Sequence, residues 1–97
     1  MSKFRVIVVD AGTGGEGQYE FEGSGLLISA SPMRVIRAFF ESETAQKRIL
    51  PHFPDWEIYT AFRHEDRWVV TVTGSLIDKD GGKTAFMAMV SLVDDDG

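Results

Sequence analysis

The last apolar run of the chain, KTAFMAMVSLV at residues 83–93, is hydrophobic on both sides. In an extended strand, successive side chains point to opposite faces. Phe86, Ala88, Val90 and Leu92 therefore share one face, and Ala85, Met87, Met89 and Val93 share the other. The first run, KFRVIVVD at residues 3–10, repeats the pattern: Phe4, Val6 and Val8 oppose Ile7 and Val9. Strands apolar on both sides belong where both sides are covered. The two runs are therefore expected as neighbours at the centre of a sheet.

The other strand-like segments are wetter. QYEFE at 18–22 sets Tyr19 and Phe21 against Gln18, Glu20 and Glu22. The run LLIS at 26–29 is expected to extend this strand past Gly23 and Gly25, which suggest a bulge or bend. DWEIYTAFR at 55–63 is expected to place Trp56, Ile58, Thr60 and Phe62 on one face. RWVVTVTGSLI at 67–77 places Trp68, Val70 and Val72 on one face. Residues 64–66 and the DKDGG stretch at 78–82 read as hairpin connections, the second with glycines for positive φ.

One segment is helical. Ser31 is a good N-cap, and Pro32 suits the first helical position. Met33, Ile36, Phe39 and Phe40 follow at spacings of three and four and form a single apolar stripe. The helix is expected from Pro32 to about Glu43, with a possible extension to Arg48, and Pro51 and Pro54 block anything further. The order is β-β-α-β-β-β. The fold expected is α+β: one domain over residues 1–97, a mainly antiparallel sheet with one helix on one face, and a frayed tail at 94–97.

A helix of about twelve residues covers about 18 Å on one side of a sheet only. Ile7, Val9, Met87 and Met89 then have no cover, although burying each is worth about 1.5–3 kcal/mol. The sheet can curl into a partial barrel, two copies can pack sheet to sheet, or a ligand or partner protein can occupy the face. These four residues are the candidate interface, and methionine suits an adaptable contact. A homodimer, or a complex with another protein, is the expected assembly.

Composition narrows the classes. The chain has 97 residues, 43% hydrophobic and 26% charged, which fits a folded domain rather than a disordered one. It has no cysteine, so disulfides and thiolate metal sites are excluded. Its net charge of −5 disfavours nucleic-acid binding, and acids flank its sheet aromatics. No apolar run reaches the length of a signal-peptide core or a membrane span, so a soluble, cytoplasmic protein without membrane partners is expected.

Chemical motifs are weak. Gly12, Gly14 and Gly17 have the G-x-G-x-x-G spacing of a dinucleotide turn. That turn needs a helix directly after the glycines, and QYEFE alternates like a strand instead. Asp78 and Asp80 match the start of a calcium loop, but Lys83 and Met89 stand where it needs glycine and glutamate. His52, Asp55 and Glu57 could converge as a general base or metal ligand if the strand after Pro54 folds back under the helix. His64 sits in the mixed-charge turn RHEDRW. No metal or cofactor is expected. The sequence points to a small binding or interaction module that self-associates through its sheet. The alternative is a small-molecule binder or minor enzyme with a pocket near the 12–17 loop and His52.

Overall fold

A computed structural model describes residues 2–10, 16–65 and 67–94. The chain folds as an α+β unit with strands β1 (Ser2–Asp10), β2 (Glu16–Gly23), β3 (Asp55–Arg63), β4 (Val69–Ile77) and β5 (Lys83–Asp94). Two helices, α1 (Pro32–Glu41) and α2 (Glu43–Arg48), lie between β2 and β3. All strand pairings are antiparallel, in the order β2-β1-β5-β4-β3. The two-faced strands β1 and β5 are indeed neighbours, and the edges are the strands that alternate with charge.

The helix side of the sheet holds the core. Phe4, Val6, Val8, Val70, Val72, Phe86, Ala88 and Val90 are buried there against Val35, Ile36, Phe39 and Phe40 of α1 and Ala45 of α2. Aromatic rings link the layers. Trp68 and Phe21 each lie 5.2 Å from Phe4, Phe39 is 5.6 Å from Phe21 and 5.4 Å from Phe40, and Phe40 stacks on Trp56 at 4.5 Å. Such ring pairs add about 0.5–1.5 kcal/mol each beyond their buried area.

α1 begins as expected, with Ser31 Oγ accepting from Arg34 N–H and Pro32 in the first turn. Its buried stripe differs by one position: Val35 is buried while Met33 stays exposed. The pairs 35/36 and 39/40 sit one turn apart and form a broader contact than a row through Met33. The expected continuous helix is broken at Ser42, whose backbone is extended (ψ 157°). Its hydroxyl donates to Phe39 O at 2.6 Å and also accepts from Ala45 N–H, so one residue closes α1 and caps α2.

Three local expectations are corrected. Residues Gly25–Ser29 form a 3₁₀ turn rather than an extension of β2. The pairing of β1 with β2 closes at Gly23↔Ser2, and the chain turns directly after it. Thr60 and Phe62 do not share a face with Trp56 and Ile58. A bulge at Tyr59 shifts the register between Ile58↔Gly74 and Thr60↔Thr73, and Ala61 turns to the core in their place. At the other end of the chain, β5 continues through Asp94, paired with Lys3, one residue into the acidic stretch expected to fray. Residues 95–97 lie outside the described residues.

The turns follow their chemistry. Asp78 Oδ1 accepts from Asp80 N–H and Gly82 N–H, both at 2.9 Å, and Gly81 takes the positive φ of 85°. Trp68 closes the other end of the sheet by donating its indole N–H to Ile28 O at 2.8 Å, and the Arg63 guanidinium, which bonds to Ala30 O, lies over its ring. Gly74 is fixed by the bulge across from it, because a Cβ there would overlap the carbonyl oxygen of Glu57. Gly74→Ala is expected to destabilise the fold by more than about 2 kcal/mol. Urea unfolding followed by tryptophan fluorescence checks it, and a loss below a few tenths of a kcal/mol would contradict the bulge geometry.

Candidate functional site

The face of the sheet opposite the helices carries the candidate interface. Pairing sets Ile7 opposite Met89 and Val9 opposite Met87, so the four residues form a compact block at its centre. They stand on the uncovered side: Met87 and Met89 are each 44% exposed, Val9 is exposed and Ile7 is half-buried. The bulge in β3 brings Phe62, which alternation put on the face of Trp56 and Ile58, to this side beside Tyr59. Tyr59 is 59% exposed, and Phe62 is 50% exposed beside Thr71, its partner in register. A one-residue shift reverses the side on which every later side chain of a strand stands. No turn residue in YTAF announced it.

Threonine and polar pairs border this block. Thr60 and Thr73 bond through their hydroxyls at 2.6 Å, and His64 Nε2 lies 3.1 Å from Thr71 Oγ1. Tyr59 Oη lies 2.7 Å from the buried Ser75 hydroxyl, and Lys83 Nζ reaches Glu57 Oε2 at 3.1 Å. The Glu57 carboxylate, by hydrogen bond first and charge second, holds the Lys83 ammonium protonated to higher pH than usual. Across the face, Arg5 pairs with Glu20 at 3.5 Å. The centre is not flat: Val9, Tyr59, Thr73, Ala85 and Met87 line a shallow apolar hollow of about 350 Å³.

Both edges of the sheet resist strand addition. On β2, exposed glutamates stand along the edge, and Thr44 of α2 donates its hydroxyl to Glu20 O at 2.8 Å. On β3 the bulge at Tyr59 interrupts the ladder.

The structure separates the histidine group. Asp55 uses its carboxylate to accept from Trp56 N–H at 2.8 Å. Glu57 stands on the helix-free face with Lys83. His52 lies on the other side of the sheet, where the C-terminal end of α2 meets β1, β2 and β4. No group of three His, Asp or Glu residues suited to a metal ion occurs among the described residues. His52 instead borders a cavity of about 250 Å³ whose lining includes Val8, Ile49, Phe53 and Leu76 together with Arg48, Tyr19 and Asp10. The Arg48 guanidinium lies 4.7 Å from the centre of the Tyr19 ring. Arg48 and Tyr19 have no mark in the sequence. They meet only because α2 packs beside β2.

The glycine motif resolves in part. Gly12 and Gly14 lie outside the described residues. Gly17 pairs with Val8 inside β2, so strand and not helix follows the glycines. Among the described residues no helix is long and apolar enough to cross a membrane.

Tyr59→Phe keeps the ring but strips the buried Ser75 hydroxyl of its partner. It is expected to cost about 1–2 kcal/mol, a fall in Tm of several degrees in a domain of this size. Thermal unfolding by circular dichroism measures it, and an unchanged midpoint would mean that the Ser75 hydroxyl does not depend on Tyr59.

Compared with protein-family models, curated proteins and solved structures, the chain matches none.

Proposed function

We propose that the protein is a small interaction module that self-associates through the helix-free face of its sheet. The observation that carries this reading is the central block of Ile7, Val9, Met87 and Met89, extended by Tyr59 and Phe62 and left without cover by either helix. Contiguous apolar surface of this kind marks contact sites. A second copy is the favoured occupant because the face is self-compatible. Its apolar centre is flanked by Arg5 with Glu20 and by Lys83 with Glu57, so neither sign of charge dominates the rim. A two-fold axis through the centre would set the methionines of each copy against the hollow beside Val9 and Tyr59 of the other.

Size sets the strength. Five strands about 4.8 Å apart and roughly six residues at about 3.3 Å give a footprint of about 20 × 20 Å. That is about 400 Å² per copy and about 800 Å² in all, below the usual size of a stable interface, so a weak, micromolar association is expected. Light scattering at tens of micromolar should report the mass of two chains. Met89→Asp should return it to one chain with circular dichroism unchanged, because Met89 lies outside the buried core. Leu26→Ser, at an 80% exposed position on the 3₁₀ turn, should leave the dimer intact. A single-chain mass for the unaltered protein overturns the proposal.

A further inference from the structure

On the opposite side of the sheet, the cavity at the end of α2 combines apolar core residues with the cation Arg48. Among the described residues Lys47 pairs with Glu43, Arg5 with Glu20 and Lys83 with Glu57, while no carboxylate lies within ion-pair distance of Arg48. The Tyr19 ring holds one face of the Arg48 guanidinium, which leaves its in-plane N–H donors for another acceptor. Val8, Ile49, Phe53 and Leu76 line the same cavity, and Val8, Ile49 and Leu76 belong to the buried core. A concave apolar site with a few polar groups on one side is the ordinary form of a small-molecule site.

We propose that this cavity binds a small apolar monocarboxylate, with the carboxylate on Arg48 and the hydrocarbon against Ile49, Phe53 and Leu76. Three features select that chemistry. The guanidinium fork matches a planar carboxylate. A volume of about 250 Å³ holds about eight non-hydrogen atoms at about 30 Å³ each. Asp10 also lines the cavity, so a ligand with a second negative charge would share it with a carboxylate, and dianions are disfavoured. The site goes beyond the association proposal, because the sheet separates it from the Met87–Met89 face.

The test is an amide-shift titration of the full chain with hexanoate, a carboxylate of eight non-hydrogen atoms, carried into the millimolar range. Shifts should gather at Val8, Tyr19, Ile49, Phe53 and Leu76. Arg48→Gln, on an exposed helical position, should weaken hexanoate by about tenfold or more, the loss expected for a charge-assisted bond. The neutral isostere hexanamide should bind more weakly to the unaltered protein and equally to both proteins. Succinate and phosphate should move these amides little. The proposal fails if hexanoate moves no amides there, if Arg48→Gln binds it equally well, or if phosphate moves the same amides as strongly. Each of those results leaves the measured mass, and so the association proposal, unaffected.

Discussion

The pairing of the first strand with the last is the constraint on which everything else rests. β1 and β5 are far apart in the chain, and each is apolar on both sides. Side by side at the middle of the sheet, each shields the other's flank. Phe4, Val6 and Val8 meet Leu92, Val90 and Ala88 in register on the helix side, and that row is the floor on which the aromatic residues stack. The two hairpins hang from this seam, β2 outside β1 and β4 with β3 outside β5. The helices complete one face only.

That asymmetry has a direct consequence. On the helix side, apolar side chains are buried and rings touch from Trp68 through Phe4, Phe21 and Phe39 to Phe40 and Trp56. On the other side the same central strands present Ile7, Val9, Met87 and Met89, which neither helix covers. The β2 edge carries exposed glutamates and the Thr44 bond to Glu20, and β3 carries the bulge at Tyr59, features that disfavour strand addition.

Much of the fold was legible because burial writes a period into a sequence. Alternation in QYEFE, two-sided apolarity in FRVIVV and AFMAMV, and the cap-and-proline start at Ser31 and Pro32 each have one physical explanation, and each reappears in the structure. The illegible parts were those decided by a neighbour. Residues 26–29 are apolar and strand-like, yet the pairing with β1 closes at Gly23 and they turn. Thr60 and Phe62 alternate correctly with Trp56 and Ile58, yet one unpaired residue at Tyr59 sends them to the opposite face. His52, Asp55 and Glu57 are close in sequence, but strand geometry puts Glu57 and His52 on opposite sides of the sheet. Arg48 and Tyr19 are twenty-nine positions apart and carried no signal at all.

The sequence by itself determined the class of fold, the strands at the centre and the four side chains that no single helix could cover. It could do so because side-chain period and the reach of one helix are local quantities. Only the tertiary structure decided the faces of β3, the break at Ser42 and the joining of Arg48 with Tyr19 beside an apolar wall. Those depend on where a partner strand ends, which hydroxyl finds which carbonyl, and how a short helix lies against an edge, and none of these is set by a residue's own neighbours in the chain.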